Sequence, residues 1–484
     1  MMTIHDLKPQ AVWKHFHALN QIPRPSKHEE KVAAYLEQFG KDLGFNSFQD
    51  EVGNVIIRKP ATPGMENRKC VLLQAHMDMV PQKNSDVKHD FLTDPIKTRV
   101  VGDLLYATGT TLGADDGLGV AIGMAVLESK DIKHGPIECL FTTDEETGMT
   151  GANALKPGFL KADTLINLDS EAEGELYVGC AGGVDVNAKF TYKRVPMPGK
   201  YAAKDIHITG LKGGHSGMEI NQERGNSNKL MARILLPLME NMDARLISFQ
   251  GGNMRNAIPR EADAIIAIPE SKMNEAEKFV NSLIADIKKE LELSDAGLVI
   301  IMKDGAPGDC IVKDNGVNLV KAVMACPAGV AGMSLTMEGM VETSNNLSIV
   351  ETNDYDANIC TLVRGSNDSS KLAHAYTVKA VFELAGANVT LDGEYSGWQP
   401  NMESSILKLM QKKYKEVFGK EAKIKGIHAG LECGILGGIY PNWDMVSCGP
   451  TLMSPHSPDE RVEIASVDKL WKLIKATLED IPVK

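Results

Sequence analysis

No stretch of this 484-residue chain approaches the ~20 consecutive apolar residues of a membrane-spanning helix, so a helical membrane protein is excluded. The opening MMTIHDLKPQAVWKHF has neither an apolar signal core nor a small-residue cleavage site, and no secretory leader is expected. The eight cysteines, at 70, 139, 180, 310, 326, 360, 433 and 448, form no CxxC pair. Several fall in apolar runs, as buried reduced thiols of a cytoplasmic protein do, and a disulfide framework is not expected. Positive charge is short: 52 Lys and Arg stand against 64 Asp and Glu, a net charge of −12. That disfavours nucleic acid or an anionic membrane as partner. What is present is ordinary for a soluble globular protein, 43% hydrophobic and 24% charged residues. At ~100–200 residues per domain the length predicts two or more domains.

The first third alternates helix-like and strand-like segments. Helical patterns cover 9–19 and 28–43, strands 46–51 and 54–58 follow with Gly53-Asn54 as their turn, and apolar runs at 70–75, 137–143 and 164–169 read as buried strands. Between the first two of these runs lies a glycine-tolerant buried helix, 117–129. Continuous apolar strands separated by helices predict an α/β fold with a mixed, largely parallel sheet flanked by helices. From about residue 186 to 397 the strands alternate more clearly and amphipathic helices sit at 227–242, 272–292, 314–325 and 369–386, an inserted α+β domain. Two stretches inside it, 254–269 and 343–363, rhyme loosely, which suggests an internal duplication. After residue 398 the sheet-type pattern returns, with helices at 403–418 and 466–480 and a strand at 445–449. The expected organisation is one discontinuous domain, 1–185 and 398–484, carrying an insert at 186–397.

His76 and Asp78 stand two apart in QAHMDMV, where a buried strand ends. Alone, such a pair says little. But Asp115 and Asp116 precede a helix in TLGADDG, and Asp144, Glu145 and Glu146 follow a second strand in TTDEETG. Asp169 ends a third strand in NLDSEAEG, and His456 lies in a proline-flanked loop after a fourth. A solvated acidic edge is the alternative for any one cluster. It fits less well jointly, because ligands of open α/β sheets bind beyond the carboxyl ends of strands. Two imidazoles with several carboxylates suit zinc, cobalt or manganese. Carboxylates can bridge two such cations ~3.5–4 Å apart, and the pair lowers the pKa of a shared water to about 7. One carboxylate must then stay off the metals to take the water's proton, and adjacent glutamates can divide those tasks. Asp78 is placed to orient the His76 ring, as a ligating imidazole needs.

HMDMV, GADDGLG, TDEETG, NLDSE and the late SPHS resemble, in order and approximate spacing, the di-zinc exopeptidases that include carboxypeptidase G, aminoacylase, carnosinase and peptidase T. The likeness spans essentially the whole chain; the order of five motifs is specific, and no single one is. The resemblance implies that His76 and Asp169 hold one ion, Glu146 and His456 the other, and that Asp115 bridges both. It implies Glu145 as general base, Asp78 as the orienter of His76, and a cis peptide after Asp115. It makes the inserted domain a lid whose His215, in KGGHSG, stabilises the developing oxyanion. Asn256 and Arg364 would bind the substrate's free carboxylate, a group a guanidinium grips with two hydrogen bonds. Asn345 and Asn346 compete with Asn256 for that part. Glu432, in HAGLECG, would hold the free α-amino group, or else be a helix-start carboxylate, while His428 and Cys433 are expected to pack or hydrogen-bond.

The implied activity is a cytoplasmic dipeptidase with two divalent ions, zinc first and cobalt or manganese as alternatives. It would hydrolyse unblocked dipeptides, Xaa-His among them, by a metal-bridging hydroxide. A related aminoacylase or deacylase is the rival enzyme, and a non-catalytic binder, which has no need of Glu145, is the rival outside catalysis. At about 210 residues the insert is long for such lids, shorter examples of which dimerise. A duplicated lid would let His215 act within its own chain; a homodimer is the alternative.

Overall fold

In the computed structural model, which describes residues 2–484, the chain divides into two compact units. One is Met1–Gly179 with Trp398–Gly426 and Leu431–Lys484; the other is Cys180–Gly397 with Ile427–Gly430. The short segment 427–430 therefore goes with the second unit, although it lies inside the stretch that the sequence pattern gives to the first. Among the described residues, no helix is long and apolar enough to cross a membrane.

The first unit is built on an eight-stranded mixed sheet in the order Asn46–Gln49, Val55–Lys59, Ile137–Thr142, Val71–His76, Thr164–Asn167, Asp444–Ser447, Glu175–Cys180, Lys423–Ile427. The four strands from Ile137–Thr142 to Asp444–Ser447 run parallel, and the strands paired to either side of this block are antiparallel. All residues of Val71–His76, Ile137–Thr142 and Thr164–Asn167 are buried, which is why their sequences read as unbroken apolar runs. The helix Ala114–Glu128 packs on Val71–His76 and on the helix Gln10–Asn20, and is buried along most of its length. Gly123 makes the approach possible, since a Cβ there would lie 2.9 Å from the Phe141 ring. Leu72 and Phe141 are both fully buried, each worth ~1.5–3 kcal/mol of transfer free energy.

A second, antiparallel sheet of four strands decides the position of two loops. It runs Leu452–Met453, Arg461–Glu463, Leu104–Ala107, Thr98–Val101. The hairpin of its first two strands carries His456 between them. Pairing of Arg461–Glu463 with Leu104–Ala107 brings that hairpin beside the segment leading to Asp115.

The second unit is a nine-stranded antiparallel sheet with helices Ser227–Asn241, Met273–Glu290, Lys313–Ala325 and Asp368–Leu384 packed against it, around a core that includes Met231, Val280, Leu319 and Phe382. Eight of its strands form one path that falls into two halves, and the ninth, Gly329–Met333, pairs with Val341–Thr352 off that path. Val299–Asp304, Tyr201–Thr209, Ala262–Pro269 and Arg245–Gly251 form one; Val341–Thr352, Asp356–Gly365, Gly182–Thr191 and Asn388–Tyr395 form the other. Each half has the chain order strand, helix, strand, strand, helix, strand, and they join edge to edge through Arg245–Gly251 and Val341–Thr352.

Candidate active site

The carboxyl ends of the parallel strands deliver the polar residues. His76 is the last residue of its strand; Asp144, Glu145 and Glu146 follow Ile137–Thr142, and Asp169 follows Thr164–Asn167. His76 Nε2 lies 3.1 Å from Asp115 Oδ1 and 3.4 Å from Asp169 Oδ1. His456 Nε2 lies 3.1 Å from Asp115 Oδ2 and 3.0 Å from Glu146 Oε2. Two triads result, His76–Asp115–Asp169 and Asp115–Glu146–His456, each with donor atoms within 4.8 Å of one another, and Asp115 belongs to both. Glu145 lies on the same side, its carboxylate within 4.8 Å of donors from His76 and Glu146. The peptide between Asp115 and Asp116 is cis. Asp116 is no part of either triad; its Oδ1 accepts the Gly119 amide at 3.0 Å.

The crowding shows in the proton affinities. Burial works against charge on His76, but Asp169, Asp115 and Asp78 outweigh it and hold the ring well above the usual imidazole range. Contacts with Asp115 and Glu146 push His456 up to about 11. Burial, reinforced by Asp115 and Glu146, raises Asp169 to about 7. Burial also lifts the Glu145 carboxyl well above its ordinary range, with Asp169, Glu432 and Glu146 adding to the effect. Glu146 Oε1 is buried with no hydrogen-bond partner. An unpaired carboxylate oxygen inside a cluster of mutually repelling acids and two imidazoles fits divalent cations, and the donor set is one that zinc, cobalt and manganese accept.

Asp78 is wholly buried and does more than face the imidazole. Its Oδ1 is 3.3 Å from His76 Nδ1 and accepts the Glu145 amide at 3.1 Å; its Oδ2 accepts the Glu146 amide at 3.2 Å and the Ser26 hydroxyl at 2.8 Å. One carboxylate thus registers the strand-end histidine against the turn that carries both glutamates. Burial alone would raise its pKa, but His76, Ser26 and the Glu145 amide bring it below the usual value. Asp144, at φ 52°, starts that turn, its amide donating to Glu29 Oε1 at 3.0 Å and its carboxylate accepting from Thr147 and Thr150.

Glu432, the expected holder of the substrate's α-amino group, is enclosed in the structure. It opens the helix Glu432–Ile439 but is 0% exposed. Its Oε2 accepts from Gln74 Nε2 at 2.5 Å and from the Thr142 hydroxyl at 2.7 Å. Gln74 Oε1 in turn accepts from Asn167 Nδ2 at 2.6 Å. The carboxylate thus bonds to two neighbouring strands through one oxygen and reaches Asn167 of a third through Gln74, while its Oε1 is buried with no hydrogen-bond partner. Neither Gln74 nor Asn167 was legible as functional, because a buried amide on an apolar strand carries no motif.

In the second unit, His215 lies in the short strand Gly214–His215, and its Nδ1 accepts the amides of Gly217 (3.1 Å) and Met218 (3.0 Å). A ring nitrogen that accepts twice cannot carry the proton, so the hydrogen is on Nε2. Burial and the nearby Arg364 lower the ring's pKa to about 4. Arg364 is buried, with Nε and Nη2 on the Ser216 hydroxyl at 3.2 Å and Nη1 on the Tyr395 hydroxyl at 3.1 Å. Asn256 is exposed in a turn. Its rivals are committed elsewhere: Asn345 Nδ2 donates to the Pro327 carbonyl at 2.6 Å, and Asn346 Nδ2 to the Ala257 carbonyl at 2.8 Å. His428 accepts from or donates to the Ser344 hydroxyl at 2.7 Å, and Cys433 is a buried thiol.

The sequence profile of Peptidase family M20/M25/M40 matches residues 72–480. The chain belongs to this family. It is similar to the protein named cytosol non-specific dipeptidase of Escherichia coli (strain K12), 44% identical over 486 residues that cover 100% of both chains. Its fold matches the crystal structure of the aminoacylhistidine dipeptidase from Vibrio alginolyticus with a TM-score of 0.93 and 45% identity, over 100% of this chain and 99% of that one. The aminopeptidase PepT from Bacillus cereus ATCC 10987 shares the fold at a TM-score of 0.59 and 17% identity, over 98% and 99% of the two chains. As an M20 peptidase the protein is a peptide-bond hydrolase, and three strand ends, one helix start and one hairpin loop supply its two triads.

Proposed function

We propose that this M20 peptidase is a metal-dependent dipeptidase acting on unblocked dipeptides, Xaa-His substrates among them, in the cytoplasm. Two full-length relatives whose names are those of dipeptidases support it. The observation that carries it is the sharing of Asp115 between His76 and His456, with Glu145 beside both triads. His76, Asp115 and Asp169 would hold one divalent ion, and Asp115, Glu146 and His456 the other, zinc before cobalt or manganese. When bound, the ion pair polarises the scissile carbonyl and acidifies a water.

The protein's own residues do the rest. Glu145, its proton affinity raised, takes the proton from the water and returns it to the leaving amine. Asp78 holds the His76 ring and the amides of Glu145 and Glu146 in register, so base and ligands keep one geometry. His215 donates from Nε2 to the carbonyl oxygen as negative charge develops there. Arg364, aided by Asn256, pairs with the substrate's carboxylate. The test is a dipeptide panel with each peptide also in N-acetylated form, assayed before and after chelation. Activity that requires both a free amine and the metal is expected. Equal turnover of the acetylated forms would make the protein a deacylase, and full activity after exhaustive chelation would end the metal-dependent assignment.

A further inference from the structure

Two buried ions of opposite charge, Arg24 and Glu460, stand outside the residues given chemical roles above, each 2% exposed. Burying a charge is costly unless it is well hydrogen-bonded, so the partners of each show what it holds. Arg24 lies in IPRPS, after the helix Gln10–Asn20. Its Nη1 donates to the carbonyls of Met77 (2.9 Å) and Asp78 (3.1 Å), and its Nη2 to that of Gly113 (2.6 Å). It therefore fastens the turn after His76 to the turn before Asp115. The motif GADDGLG makes room for it, because a Cβ at Gly117 would lie 2.4 Å from Arg24 Nη2.

Glu460 accepts the amides of Leu112 (2.7 Å), Gly113 (3.1 Å), Ala114 (2.7 Å) and Asp115 (3.4 Å). These belong to the start of the helix Ala114–Glu128, where amides have no partner within the helix. Gly113, the residue at the cap position, has no side chain to offer them. The cap comes instead from the foot of the hairpin that carries His456. Glu460 therefore fastens the turn before Asp115 to His456.

We propose that Arg24 and Glu460 are positioning residues that each set one half of a binuclear centre, Arg24 the His76–Asp115 half and Glu460 the Asp115–His456 half. The proposal rests on the two-ion centre put forward above. It predicts a separation that general loss of packing would not produce. Without the Glu460 charge, Arg24 still holds Asp115 in register with His76; with Arg24 weakened, Glu460 still holds Asp115 in register with His456.

The experiment uses the full-length protein stripped by chelation and titrated with Co2+, followed by calorimetry and by visible absorption. His76→Ala and His456→Ala identify which binding step belongs to which half. Glu460→Gln, which keeps an acceptor oxygen, is expected to weaken the His456 step tenfold or more and leave the His76 step within threefold. Arg24→Lys, which keeps the charge but not the fork, is expected to do the reverse. Circular dichroism confirms that each variant is folded, and Glu460→Asp replaces Glu460→Gln if that variant is not. Both steps falling together, or neither moving, would overturn the assignment while leaving two ions in place. Wild-type protein that binds fewer than two equivalents would overturn the two-ion centre and this proposal with it.

Discussion

The imidazoles of His76 and His456 meet on the two oxygens of a single carboxylate, each Nε2 3.1 Å from its own oxygen of Asp115. Residues 380 positions apart by number are thus held one carboxyl group's width from each other. If Asp115 bridges two ions, its removal must affect both, whereas removal of either histidine must affect one. Asp115→Ala is expected to lose both equivalents of metal after dialysis, and His456→Ala to retain about one. Elemental analysis of the dialysed proteins reads this directly. Retention of both equivalents by Asp115→Ala would show that the carboxylate is not shared.

Glu145 and Glu146 are neighbours in sequence with different surroundings. Glu146 faces His456, while Glu145 is tied to neither imidazole by a contact as short. Glu145→Gln should lower kcat by about 10²–10⁴, the usual worth of general acid–base catalysis, with metal content near that of the wild type. Activity and metal analysis on the same preparation are both needed. Loss of an ion together with activity would make Glu145 a ligand.

His76, Glu146 and Asp169 were legible in the sequence because each follows an apolar run that forms a buried strand. Asp115, at a helix start, and His456, in a hairpin loop, were grouped with them, and sorted into two triads, by the resemblance in motif order. HMDMV and NLDSE are strand ends, and a strand end in a parallel sheet has a defined place. What could not be read is how distant segments are joined. The small sheet that sets the His456 hairpin beside Leu104–Ala107 is made of strands of two to four residues, too short to leave a pattern. Arg24 and Glu460 act on backbone carbonyls and amides, which every residue has, so nothing in the sequence marks their partners. In the second unit the loose rhyme falls on parts of the two halves that share an element order, but at different places in each. The stretch 254–269 covers one long strand, Ala262–Pro269, while 343–363 spans most of a strand pair, Val341–Thr352 and Asp356–Gly365.

His215 is expected to remain neutral through the physiological range. Two amides donate to its Nδ1, and burial with Arg364 nearby lowers its pKa to about 4, below the ordinary 6.5. Nitrogen-15 chemical shifts of the ring should show the Nε2–H form at pH 7 and titration near pH 4. His215→Ala should lower kcat by about 10²–10³, as loss of an oxyanion donor does, with metal content unchanged. A ring that titrates near 6.5 would remove the basis for a fixed neutral donor.

Glu432 gives a prediction about stability rather than turnover. Burial raises its pKa to about 7, with the Thr142 hydroxyl opposing. Its folded pKa therefore lies above the unfolded value of 4.5. The neutral carboxyl is compatible with the fold and the charged one is penalised, so the stability it contributes is present below about pH 4.5 and lost as pH rises through about 7. Gln cannot ionise and escapes that loss. Glu432→Gln has its own fixed cost, because the added NH2 group needs an acceptor, but that cost does not vary with pH. The stability of Glu432→Gln relative to the wild type should therefore rise between pH 4.5 and 7 by on the order of 3 kcal/mol and then level off. Urea unfolding of metal-stripped protein at intervals across this range measures the difference. A difference that stays flat with pH would mean that the carboxylate is charged in the folded state, held by its bonds to Gln74 and Thr142.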